Sequence, residues 1–249
     1  IYISRLIEAF QKQAKEGDVT QLDSHLDFCE WVLTHQDSAA PDDQHARDTS
    51  QENPDWSGAR RSVGDFIELL LDTEVNTPIN HRDKIAGLLR SLCTDYCARL
   101  DKDRPVILNR DDQLTEAINN TRSRALETLL KFASWVRRGD EDLAVPEITE
   151  ILDERFSAAT THALSLPEHA ILATNLTRFY WIDSAWTREN KNNFLPIDEP
   201  TTWLESFGYY LRFGRPNADI FHTLREHYAK AIEQLPSLLD DDKHDDFTS

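Results

Sequence analysis

In 249 residues, 45 acidic against 27 basic side chains give a formal net charge of −18 at pH 7. Such a surface repels phosphate backbones over most of its area and argues against a general nucleic-acid binder. Three cysteines, Cys29, Cys93 and Cys97, are too few and too unevenly placed for a disulfide framework, and no apolar run approaches the roughly 18 residues of a membrane span.

The opening IYISRLIEAF has no basic stretch ahead of a long apolar one, so the chain reads as cytoplasmic and without membrane contact. It contains no methionine, the initiator included, which reads as a segment of a larger protein. The charge is uneven. Residues 36–58 hold one Arg against six acids and residues 237–249 one Lys against five, whereas residues 80–138 hold twelve Lys or Arg against eight acids.

The first helix, Ile1 to about Lys15, places Ile3, Leu6, Ile7 and Phe10 on one face, and Gly17 closes it. Thr20 followed by Asp23 has the spacing of a capping box for a second helix with Leu22, Leu26, Cys29 and Leu33 in phase. From His35 to Gly58 the chain is too polar to offset the entropy of ordering. A third helix covers Arg60 to Thr73 and a fourth Asn80 to Leu100, carrying Ile85, Leu88, Leu89, Leu92, Cys93 and Tyr96 inward. Leu108 to Gly139 follows as one helix or as two meeting near Asn120, its stripe Ala125, Leu126, Leu129, Leu130, Ala133 and Val136, and Gly139 reads as a left-handed stop.

Pro146 fits the first turn of the next helix, and Ser165 with Glu168 forms a second capping box, opening a helix through Leu172, Leu176, Phe179 and Tyr180. Residues 183–200 read as irregular, anchored by Trp186 and Phe194. A helix over 201–211, a Gly214-Arg215-Pro216 turn and a last helix from Asn217 to Leu235 complete the chain. The expected fold is therefore all-α, an irregular stack of nine or ten antiparallel helices resembling a helical repeat or α-α superhelix. Residues 1–35 form an N-terminal pair, 36–58 an acidic disordered loop, 59–236 the main domain and 237–249 an acidic disordered tail.

Candidate chemistry is sparse. Cys93 and Cys97 lie one turn apart but share the stripe of Leu89 and Leu100, so they read as core rather than metal ligands. His222 and His227 are five apart, on different faces, and read as surface residues. No metal or cofactor is expected. Arg155 and His162 fit the loose arginine, six residues, histidine spacing of HEPN ribonucleases, which are also all-α. That resemblance implies proton transfer by His162 and charge stabilisation by Arg155 at a scissile phosphate. Phe156 departs from the polar residue usual there.

The aromatics of the C-terminal third read as core of the helical array, with Trp203, Phe207, Leu211, Phe221, Leu224 and Tyr228 as one packed unit, or else as a partner groove, with Trp186, Trp203, Tyr209, Tyr210 and Arg215 as candidate binding residues. Two stretches, Asn120 to Leu126 with Leu129 and Leu130, and Trp203 through Pro216 to Phe221, Leu224 and Tyr228, resemble the helical C-terminal regions of large bacterial defence-type proteins with an upstream NTPase or SIR2-like module. The resemblance spans about a third of the chain, and Ser123 stands where those regions carry glycine. It implies a sensor or scaffold segment and transfers no catalytic residue. The leading expectation is thus a non-enzymatic module that binds another protein. The alternatives are a HEPN-like ribonuclease and an acidic regulatory subunit that competes for a basic surface.

Overall fold

A computed structural model describes residues 2–35, 57–94, 120–158 and 163–234. All regular structure among these residues is helical, as the periodicity requires. The chain divides into two compact units, Ile1–Ile171 and Leu172–Ser249. The acidic tail and the loop up to residue 56 lie outside the described residues, while Ser57 and Gly58 already open a helix.

The first unit holds α1 (Tyr2–Lys15), α2 (Leu22–Thr34), α3 (Ser57–Leu70), a 3-10 turn (Ile79–His81) running into α4 (Arg82–Cys93), α5 (Thr121–Val136), α6 (Pro146–Ser157) and most of α7 (Leu166–Thr174). Its centre is α3 and α4. The first packs on α1, α2, α4 and α5, and the second on α2, α3, α5 and α6. Val63, Phe66, Ile67 and Leu70 of α3 and Ile85, Leu89, Leu92 and Cys93 of α4 are buried as the stripes demand, each large side chain contributing about 1.5–3 kcal/mol. In α5, Phe132 and Trp135 are buried as well, so this helix is covered on a wider arc than its stripe suggests. Trp135 Nε1 donates to the Thr77 carbonyl at 3.3 Å, and Thr77 Oγ1 to the Leu70 carbonyl at 2.6 Å, which fastens the end of α3 to α5.

The helix ends test the capping arguments one by one. Gly17 adopts φ +81°, the left-handed stop expected of it. Asn120 accepts from the backbone N–H groups of Arg122 and Ser123 at 3.0 and 3.1 Å and so starts α5. Pro146 occupies the first turn of α6. Ser165 and Glu168 cap reciprocally, Ser165 N–H donating to the carboxylate at 2.9 Å and Glu168 N–H to the Ser165 hydroxyl at 3.4 Å. Two expectations fail. Thr20 bonds Asp18 instead of capping α2, because a nearer carboxylate competes for its hydroxyl. Gly139 has no positive φ, and α5 ends at Val136 with Arg137 N–H bonded to the Ala133 carbonyl.

The second unit contains α8 (Leu176–Ile182), α9 (Ser184–Glu189), α10 (Lys191–Phe194), α11 (Pro200–Phe213), α12 (Ala218–Thr223) and α13 (residues 225–234). The stretch 183–200 is more regular than its polarity suggests. Asp183 accepts from Trp186 N–H at 2.9 Å to open α9, and Phe194 is buried against Phe179 and Trp186. The last helix breaks at Leu224 into α12 and α13, and Ile232 is exposed rather than inward. Between α11 and α12, Gly214 is required by space. A Cβ there would stand 2.4 Å from the Tyr210 carbonyl oxygen.

Candidate functional site

Arg155, the arginine of the ribonuclease reading, is fully buried on α6 and spent on a structural pair. Its Nε donates to Glu168 Oε1 at 2.9 Å and an Nη to Oε2 at 3.1 Å, the planar fork that suits guanidinium and carboxylate. An Nη also donates to the Ala163 carbonyl at 3.1 Å, and Arg122 stands 3.5 Å from the same carboxylate. Burial pushes the Glu168 carboxyl up, but the bonds from Arg155 and Ser165 and the charge of Arg122 outweigh it and hold it below the usual carboxylate range. Two cations, one anion and a capping hydroxyl therefore form one buried network. His162 lies outside the described residues, as does Cys97. Cys93 is buried, and burial together with Glu168 raises its thiol far above the ordinary value, which suits core packing and opposes thiolate chemistry.

Most of the aromatic candidates are core. Trp203 and Tyr210 are fully buried and Tyr209 nearly so; Trp186 is half-buried, and Arg215 alone of the five is exposed. Trp203 stacks on Phe207 at 5.4 Å, Phe207 meets Tyr228 edge-on at 5.3 Å, and Tyr228 continues to Phe221 at 4.8 Å. His227 does not lie on the surface with His222. It is fully buried, and Trp203 Nε1–H donates to its Nδ1 at 3.0 Å. An accepting Nδ1 places the neutral imidazole's proton on Nε2, which is buried without a hydrogen-bond partner among the described residues. Burial, with Lys191 and Lys230 adding to it against Glu226, pushes His227 down to about 4.

Protonation of His227 would set an Nδ1–H donor against the indole N–H donor. Because the unfolded chain takes this proton near pH 6.5, stability should fall by about 1.4 kcal/mol per pH unit as the pH drops from there toward the folded value. His227→Gln, whose amide oxygen can still accept from Trp203, should lose that slope. Chemical denaturation of both proteins at pH 7 and pH 5 checks it, and equal losses in the two would reject the assignment.

What the second unit leaves outside is a different aromatic set. Trp181 is 54 % exposed, Leu211 53 %, Phe213 40 % and Phe221 49 %. Leu211, Phe213 and Phe221 flank the α11–α12 turn in sequence, and Trp181 lies on α8. Phe221 rests on Tyr228, Leu211 follows Phe207 by one turn of α11, and Phe213 stacks on Tyr209 at 6.5 Å. Thr177 Oγ1 donates to the Arg215 carbonyl at 2.9 Å, and Trp181 lies one turn beyond Thr177 on the same face of α8. Arginines intersperse with them: Arg212 lies over the Phe213 ring at 5.0 Å, and Arg178, Arg215 and Arg225 are exposed nearby in sequence.

Other places carry less. A shallow pocket between α3, α4 and α5 is lined by Arg61, Glu68, Leu92, Thr121 and Arg124, but Arg124 is paired with Asp65 and Glu68, and Lys131 with Glu68. Among the described residues no cluster of three His, Cys, Asp or Glu side chains could hold a metal ion, and no helix is long and apolar enough to cross a membrane. No family model, curated protein or solved structure matches the chain.

Proposed function

We propose that the protein is a non-enzymatic helical module that binds another protein, as part of a larger bacterial protein in the cytoplasm, and that the binding surface is the α11–α12 turn with α8. The observation that carries this reading is the exposure of three large apolar side chains, Leu211, Phe213 and Phe221, on the two sides of the α11–α12 turn, with Arg212 over the Phe213 ring at 5.0 Å. Aromatic residues and arginine are the types enriched where interfaces concentrate their energy. Arg215, selected from the sequence, belongs to this surface. Tyr209 lies behind Phe213, while Trp203 and Tyr210 pack on Phe207 and, with it, hold Tyr228, on which Phe221 rests. The ribonuclease alternative would require Arg155 to leave Glu168 and Ala163.

The test is capture from the source lysate by the intact protein and by a Phe213→Ser/Phe221→Ser variant. The intact protein should retain a protein partner that the variant loses, because removal of one central anchor costs roughly 2 kcal/mol or more. Tyr2→Ser, which removes a still more exposed ring from the first unit, should retain it. Identical capture by all three sinks the surface assignment.

A further inference from the structure

The outer face of α13 is complementary to itself. His227, fully buried, marks the inward side of this helix. On the opposite side, at the three-and-four spacing that aligns side chains along a helix, stand Arg225, Ala229, Ile232 and Glu233, all exposed, Ile232 by 69 %. Tyr228 borders this row one turn before Ile232, and the Phe221 ring, 4.8 Å from that of Tyr228, prolongs the apolar edge past the end of the helix. Arg225 and Glu233 make no ion pair among the described residues, whereas Glu226 is paired with Lys191, and Lys230 donates to the Ile197 carbonyl.

We infer that this face docks a second copy of the chain, the two α13 helices packing antiparallel about a two-fold axis at Ala229. The order along the face is cation, small residue, anion, with Arg225 four residues before Ala229 and Glu233 four after it. In an antiparallel pair that crosses at Ala229, a residue four before the axis meets one four after it. Arg225 of each copy therefore meets Glu233 of the other, and both ion pairs form at once. A parallel pair would set like charges together. Ala229 carries nothing beyond its Cβ, so the axes can approach to the short end of the usual range of about 8–10 Å. Ile232 of each copy then enters the notch between Ala229 and the Arg225 stem of the other.

Charge also selects the occupant. Two chains of −18 repel wherever their acidic surfaces face each other, but this row carries one cation and one anion, and at physiological salt a screening length of about 8 Å confines the repulsion to its surroundings. An unrelated apolar helix would cover Ile232 while desolvating Arg225 and Glu233 without partners, unless it carried the reverse order of charges that an antiparallel copy supplies. One helix face and one ring fall short of the roughly 1,200 Å² of a standard complex, so the pair is weak, with a dissociation constant on the order of 100 µM. The inference stands apart from the partner reading, because its variants leave Leu211, Phe213 and Phe221 in place.

Sedimentation equilibrium of the full chain from about 10 µM to 1 mM should show the mean mass climbing toward twice that of one chain. Arg225→Glu and Glu233→Arg each put like charges across the axis and should weaken association at least tenfold. The double reversal, Arg225→Glu/Glu233→Arg, should restore it to within about threefold. All are surface substitutions whose folding circular dichroism verifies. Under mild oxidation Ala229→Cys should form a disulfide-linked dimer, because the axis brings the two new thiols together, and the natural chain supplies the background from its own cysteines.

A mass that stays at one chain up to 1 mM overturns the inference, whether a segment of the same chain or another protein covers Ile232 instead. Association that neither single reversal weakens belongs to another surface and overturns it equally. Loss in both single reversals without recovery in the double, or no linkage of Ala229→Cys above background, overturns the antiparallel pair about Ala229. The lysate capture decides the partner reading separately.

Discussion

Glu168→Ala should unfold or nearly unfold the first unit. The carboxylate is fully buried, accepts from Arg155 at 2.9 and 3.1 Å and from Ser165 N–H and Oγ at 2.9 and 2.8 Å, and lies 3.5 Å from Arg122. Its removal leaves two guanidinium groups in the interior without their anion and deletes one half of the box that starts α7. Breaking a buried pair by removing one partner costs roughly 3–5 kcal/mol, because the surviving charge stays desolvated, against a total stability of about 5–15 kcal/mol. Glu154→Ala, whose side chain is half exposed, should cost less than about 1 kcal/mol. Urea unfolding read as the midpoint at constant slope separates the two.

The pH dependence has a definite sign. The folded carboxyl is held below its unfolded value, so its contribution is complete above about pH 4.3 and is lost as the pH falls further. The gap between the natural protein and Glu168→Gln should therefore close in strong acid. A cost under 1 kcal/mol for Glu168→Ala at pH 7 would mean that Arg155 and Arg122 find water in its place, and the buried network would not exist.

The parts of this molecule written in neighbouring residues are legible in its sequence, and those written across the chain are not. Ser165 and Glu168 are three apart and cap each other as their spacing says, and Gly17, Asn120 and Pro146 likewise act through local backbone geometry. Arg155 and Glu168 are thirteen apart in sequence, in different helices, and no local pattern joins them. The motif spacing instead coupled Arg155 to His162. His227 and Trp203 are twenty-four apart, and the spacing of His222 to His227 showed only that they occupy different faces, not which one turns inward. Helices α9 and α10, of six and four residues, hold too few turns for an apolar period to register.

The burial of three of the five candidate binding residues has a related reason. The largest aromatics on the apolar stripes are those that folding buries first, so Trp203, Tyr209 and Tyr210 went to the core. Of the side chains left exposed, Trp181 and Phe213 sit off the stripes of α8 and α11, whereas Phe221 falls on the expected inward stripe of the last helix and is exposed all the same. The buried members are nonetheless what hold the exposed ones in place.

Trp203→Ala is the second large effect, and it should act on stability and on the titration of His227 together. The indole stacks on Phe207, donates to His227 Nδ1, and lies under the Lys230 ammonium at 4.5 Å, while Lys230 Nζ donates to the Ile197 carbonyl. Truncation of a buried aromatic costs about 3–5 kcal/mol through lost transfer energy and the cavity left behind. It also opens the site to water and removes the donor that faces Nδ1, so His227 becomes easier to protonate and should move upward from about 4 toward its ordinary value. His222→Ala, at an exposed position on α12, should leave the thermal midpoint nearly unchanged. Thermal unfolding with imidazole resonances followed by NMR across pH 4 to 7 reads both quantities. If Trp203→Ala keeps the midpoint of the natural protein while abolishing partner capture, the indole belongs to the recognition surface and the packed arrangement of α11 against α13 is not the one in solution. A lowered midpoint with His227 unmoved would instead separate the cavity from the hydrogen bond and attribute the depressed imidazole to Lys191 and Lys230.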